Sequence, residues 1–188
     1  MEKIARKLTH YIIKEQIISE DEFEVYKYEF QIALELSVCI AICMIIAIWT
    51  QSFIEGVLFW VFFFNIRSYS GGIHMGTYGK CLVSSCIVFF SGILIAKYWD
   101  VNLDLLLLIG LVLIYMLWRS GLYQDESDRK AKIYFNNKLK KRLVIVGIAI
   151  MILRGLEIRS YMEISTYVLF VVWISLCIGE VKKRIASR

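Results

Sequence analysis

Long unbroken runs of apolar residues, in a chain of 188 residues without a single proline, limit what this sequence can fold into more than any other feature. Six such blocks run over residues 32–49, 53–66, 81–99, 103–118, 143–153 and 164–178. Apolar runs of this length fit segments that cross a bilayer, where each backbone N–H and C=O must find its partner within the protein. Without proline those segments are expected to be helices free of proline kinks. A transmembrane β-barrel would show segments of about 10 residues with alternating polarity, a pattern that the solid blocks exclude. With 59% hydrophobic and 21% charged residues, the chain is too apolar for a soluble domain of its size. The expectation is an all-α polytopic membrane protein. The second and fifth blocks are short of the roughly 20 residues that a full span prefers, so the bundle should have four to six transmembrane helices.

The charges set the orientation. All but three of the 22 Lys and Arg residues fall on one side of a six-span arrangement, the exceptions being Lys97, Arg154 and Arg159. By the positive-inside rule that side faces the cytosol, with both termini and the segment 65–80. Trp49, Trp99 and Trp118 close their blocks, where amphipathic rings settle among lipid headgroups. Residues 1–31 place Ile4, Leu8, Tyr11, Ile12 and Ile18 on one helical stripe among charges, as an amphipathic helix lying on the membrane does. Charges recurring up to Glu29 and again at Glu35 leave no room for the apolar core of a cleaved signal peptide. The expected organisation is one integral membrane domain over 1–188: an amphipathic helix at the cytosolic face (1–31), the bundle (32–178) and a basic cytosolic tail (179–188). The net charge of +5 sits beside apolar blocks, where membrane lipid phosphates rather than nucleic acid are the fitting partner. The five cysteines include no CxxC pair, which argues against a disulfide framework.

One stretch calls for chemistry. Residues 67–81, RSYSGGIHMGTYGKC, hold four glycines and one of only two histidines between the second and third blocks. His74 can take the proton of the Cys81 thiol to make a nucleophile, then return it to a departing amine, which is sufficient for acyl transfer. An unbroken helix would keep the two side chains roughly 10 Å apart, so the chain must break between them. Gly76 and Gly79 provide that freedom, and Gly71 and Gly72 permit a tight approach before it. If Cys81 opens the third block's helix, free backbone N–H groups there would hold an oxyanion. Arg67 would steady a thiolate, an oxyanion or a substrate carboxylate. Glu35, about one turn into the first block, is level with the motif and would orient His74, pair with Arg67 or extend to the interface. Alone, H-x6-C also describes an interfacial histidine and a packing cysteine. Metal chemistry is not expected: His10 is remote, HExxH is absent and carboxylates do not cluster near the motif. Nor is the Gly79-Lys80 pair a phosphate loop, because the upstream glycine position is His74 and the Ser/Thr position is Cys81.

An Arg, two glycines, a His and a Cys in this order, at the cytosolic end of a small multi-span chain, resemble the accessory gene regulator B (AgrB-like) family over most of its length. The resemblance implies a membrane-embedded cysteine endopeptidase that processes a short, AgrD-like precursor into a cyclic autoinducing peptide for quorum sensing. It places the catalytic pair on His74 and Cys81, with Arg67 and Gly72 in support, requires no cofactor, and implies a homodimer. In the loop 121–130, GLYQDESDRK stands where proline would be expected in such a protein, although Asn137-Lys138-Leu139 is similar. A peptide transporter or channel is the alternative. It needs polar residues along the spans, and the only acids in the blocks are Glu35, Glu55 and Asp104, with scattered serines. A purely structural or regulatory membrane protein comes third.

Overall fold

A computed structural model describes residues 1–70, 78–120 and 129–186. Among the described residues there are seven α-helices and one short 3-10 turn, and no strand. They are α1 (Glu2–Lys14), α2 (Phe23–Trp49), α3 (Phe53–Ser70), α4 (Tyr78–Tyr98), α5 (Leu103–Ser120), α6 (Arg129–Gly155) and α7 (Arg159–Ala186). Among the described residues three stretches are long and apolar enough to cross a membrane: Glu20–Trp49, Gly79–Tyr98 and Arg159–Lys182. The expected four to six spans therefore require at least one of α3, α5 and α6 in addition.

The amphipathic segment expected as one helix over 1–31 is broken. α1 ends at Lys14, Gln16 takes a positive φ of 57°, and a 3-10 turn over Glu20–Glu22 leads straight into α2. The break has a local cause. Ser19 donates from both its backbone N–H (3.0 Å) and its hydroxyl (2.9 Å) to the Glu22 carboxylate, a capping arrangement that starts a new helix. α1 then folds back on α2, burying its small residues Ala5 and Thr9 and leaving Ile4, Leu8 and Tyr11 exposed. That exposed stripe suits lipid better than water.

The same hairpin device recurs. Gln51 after α2 and Glu157 after α6 also adopt positive φ, at 56° and 55°. The following amides reach back, Ser52 N–H to the Ala47 carbonyl (2.8 Å) and Ile158 N–H to that of Leu153 (3.4 Å), which closes each helix in a Schellman turn. Such turns let α2 and α3, and α6 and α7, run antiparallel with only three residues between them.

α7 is the central helix, packed by α3, α4, α5 and α6. Met162, Ile164, Val168, Leu169, Val172 and Leu176 line its buried faces. Close approach is built on two glycines. At Gly56 a methyl group would lie 2.8 Å from Ala47 Cβ, and at Gly92 it would lie 2.8 Å from the Tyr167 ring. An aromatic cluster of Phe59, Trp60, Phe63, Phe64 and Phe89 fills the space between α3 and α4, with ring centroids 5.1–6.2 Å apart.

The end of the bundle formed by the α2–α3, α4–α5 and α6–α7 connections holds Lys97, Arg154 and Arg159, and each is engaged. Lys97 donates to the Thr50 carbonyl (3.0 Å), Arg154 grips the Asp104 carboxylate through two N–H groups (2.7 and 3.0 Å), and Arg159 pairs with Asp100. Glu163, 2% exposed, accepts a long bond from the Val101 N–H at 3.5 Å. The few cations at this end thus bind the turns together.

Candidate functional site at the α3–α4 junction

Antiparallel order places the C-terminus of α3 and the N-terminus of α4 at the other end of the bundle. α3 ends at Ser70 and α4 begins at Tyr78. His74, Gly71 and Gly72 fall between them, outside the described residues, so the expected fold of His74 over Cys81 is neither placed nor excluded.

Cys81 is described, and it is exposed. It does not open its helix as the apolar block suggests: α4 starts three residues earlier, at Tyr78. Cys81 is therefore at the fourth helical position, still in the first turn, where backbone N–H groups lack carbonyl partners within the helix and the dipole favours negative charge. Arg67, in the last turn of α3, is half-buried, and its guanidinium is within electrostatic reach of the Cys81 sulfur. Two of the residues singled out in the sequence, fourteen positions apart, thus lie within electrostatic range of each other across the α3–α4 junction. Glu35 accepts a hydrogen bond from Gln31 at 2.9 Å, one turn earlier on its own helix.

Several polar residues around this end carry no obvious signal in the sequence. Arg142, in the basic stretch 138–142, turns inward: it donates to the Asn65 side-chain oxygen on α3 at 2.8 Å and lies 5.7 Å from the centre of the Tyr69 ring. Tyr69 in turn meets Phe135 of α6, with centroids 6.4 Å apart. Arg142 thereby ties α6 to the helix that presents Arg67. Its neighbours behave differently: Lys138 covers the Tyr134 ring and Lys140 the Trp118 ring, at 5.4 and 5.5 Å. The available signal was position: Leu139 within this stretch and Leu143 just after it stand four residues apart on one helical face, and both are buried, at 2% and 0% exposure.

Among the described residues no group of three or more His, Cys, Asp and Glu side chains could hold a metal ion. One hollow of ≈710 Å³ is lined by Ser91, Leu94, Ile95, Tyr98, Trp99 and Asp100. These belong to the far end of α4 and its following turn, so the hollow is remote from Cys81.

The family model described as accessory gene regulator B matches residues 5–178. No curated protein and no solved structure matches the chain.

Proposed function

Because this chain belongs to the accessory gene regulator B family, we propose that it is a membrane cysteine endopeptidase that cuts a short precursor peptide at the cytosolic face. The membership supports a membrane protein with a role in accessory gene regulator peptide processing. The protease chemistry is inferred from the residues. The observation that carries it is an exposed Cys81 in the first turn of α4, within electrostatic reach of Arg67 at the end of α3 and following the segment that bears His74.

In this reading His74 removes the Cys81 proton. The sulfur attacks a peptide carbonyl of the precursor, and the C–N bond breaks as His74 protonates the leaving amine. Arg67 and the free N–H groups of the first turn of α4 stabilise the oxyanion that forms in between. The N-terminal part of the precursor remains on Cys81 as a thioester. Water would release a linear acid, whereas a Cys or Ser side chain of the same peptide would close a thiolactone or lactone, the outcome that a dry site favours. A thioester is less stable than the amide it replaces, so ring formation also requires removal of a product. Gly71 and Gly72 supply the close approach of the chain to this centre, and Glu35 supports it from α2.

The single domain, with the bundle in the membrane, both termini cytosolic and an AgrD-like peptide as partner, belongs to the same proposal, as does a homodimer. The cation distribution supports the orientation. The three basic residues at the end away from Cys81 are engaged by acids or a carbonyl, whereas the basic residues crowd the Cys81 end. Co-expression with a precursor, encoded as a short reading frame beside the gene, tests the activity by mass spectrometry. Cys81→Ala and His74→Ala variants that remain in the membrane should each leave the precursor intact. Normal processing by either variant would refute the assignment, and a transporter without protease activity would then be favoured.

A further inference from the structure

The helix ends at the Cys81 side of the bundle contain two polar atoms that the fold buries without a hydrogen-bond partner: Ser70 Oγ at the end of α3 and Asn136 Oδ1 on α6. Serine hydroxyls in helices usually satisfy themselves on their own backbone. In this chain Ser37, Ser68, Ser84 and Ser165 do so, donating to carbonyls three or four residues back at 2.5–3.0 Å. Ser70 does not, although it is completely buried at 0% exposure. Its position explains which way it faces. Ser70 continues the stripe of Phe62 and Ile66, both buried, toward the bundle axis. Asn136 occupies the corresponding place on α6, in line with the buried Leu139 and Leu143.

The two lie at one level. The Tyr69–Phe135 ring contact joins their immediate neighbours, and the Asn65–Arg142 hydrogen bond a turn or two deeper fixes the antiparallel register of α3 against α6. Ser70 also lies one turn beyond Arg67, which is within electrostatic reach of Cys81. A buried hydroxyl and a buried amide oxygen left unpaired each cost about 1–3 kcal/mol, and a native fold normally retains such groups only for a reason. Neither is used by the catalytic steps above.

We propose that Ser70 and Asn136 form a main-chain-binding seat for the precursor, a subsite that holds an extended peptide segment beside the Cys81 centre. The chemistry selects a peptide backbone: the Asn136 oxygen needs an N–H donor, and the Ser70 hydroxyl can donate to a C=O or accept from an N–H. A seat of this kind reads backbone rather than side chains, and it becomes satisfied only when substrate enters. The inference rests on the proposed peptide processing.

The test uses the full-length protein in lipid nanodiscs, with Cys81→Ala as the parent so that no turnover occurs. The probe is the short peptide encoded beside the gene, synthesised with a fluorophore at its N-terminus. Ser70→Ala and Asn136→Leu, each added to the parent, should weaken binding by about five-fold to ten-fold, the scale of one lost hydrogen bond. Thermal stability should be equal or higher, because each change removes an unpaired polar group from the core. Wild-type affinity in both variants would overturn the seat, as would weaker binding accompanied by a lower melting temperature, which marks a purely structural role. If the Cys81→Ala parent binds no such peptide, the processing reading itself fails and the seat with it.

Discussion

Replacing Gly92 by alanine places a methyl group 2.8 and 2.9 Å from two carbons of the Tyr167 ring and 3.2 Å from Ile164 Cδ1. Carbon atoms in good contact are about 3.5–4.0 Å apart, so the ring must withdraw by roughly 0.7 Å or α4 must move off α7. The ring is not free to withdraw. Its hydroxyl donates to the Val88 carbonyl at 3.0 Å and shares a hydrogen bond with Ser91 Oγ at 2.7 Å. Overpacking of this kind costs about 1–3 kcal/mol, and each hydroxyl bond sacrificed to relieve it costs about 0.5–1.5 kcal/mol. Gly92→Ala should therefore destabilise the bundle by about 2 kcal/mol. Tyr167→Phe alone should cost about 1 kcal/mol. Combined with Gly92→Ala it should cost about 1 kcal/mol less than the sum, because a ring released from Ser91 and Val88 can swing aside. Reversible unfolding in mixed detergent micelles, followed by far-UV circular dichroism, measures all four members of the cycle. An unperturbed Gly92→Ala protein, or strict additivity, would refute the packing argument.

Gly56→Ala should destabilise by about 1–3 kcal/mol in the same assay, since its methyl would meet Ala47 Cβ at 2.8 Å and Phe89 at 3.2 Å; no change in the unfolding midpoint would count against close α2–α3 contact. Arg142→Leu should cost about 2 kcal/mol by stranding the Asn65 oxygen and removing the cation from Tyr69, and Arg142→Lys should recover only part of it. Full recovery by Lys in a thermal melt would argue against the directed hydrogen bond. Arg67→Ala should slow precursor cutting by about 100-fold, the scale of one lost oxyanion donor, with membrane level and peptide affinity maintained. A cleavage time course by mass spectrometry would expose the error if the rate stayed within two-fold of wild type.

The helices were legible in the sequence because bilayer-scale apolar blocks leave few other folds. Their limits were less so, for physical reasons. α6 begins at Arg129, well before its apolar block at 143, since lysines and arginines form helix readily and the exposed faces of 138–142 hide a core line through Leu139. The end of α1 is not legible because Gln16 closes it with a positive φ more usual for Gly or Asn, and the Ser19–Glu22 cap is a short pattern within a charged stretch. In the candidate site, the likeness of the 67–81 motif to the family pointed to Arg67 and Cys81, which the structure brings within electrostatic reach. The Asn65–Arg142 tie and the buried Ser70 were not legible, because they depend on which helices become neighbours, and α3 and α6 are separated by two spans of chain. His74, the partner that the chemistry requires, lies outside the described residues.

The central claim is a covalent one: Cys81 carries the precursor's acyl group during turnover. Mixing the nanodisc protein with the synthetic precursor, quenching in acid within seconds and measuring intact mass tests it directly. The account predicts an adduct equal in mass to the N-terminal fragment of the precursor, located on Cys81 by peptide mapping, released by hydroxylamine and absent from Cys81→Ala. Cleavage that proceeds without such an adduct, or an adduct that persists in Cys81→Ala, would contradict it.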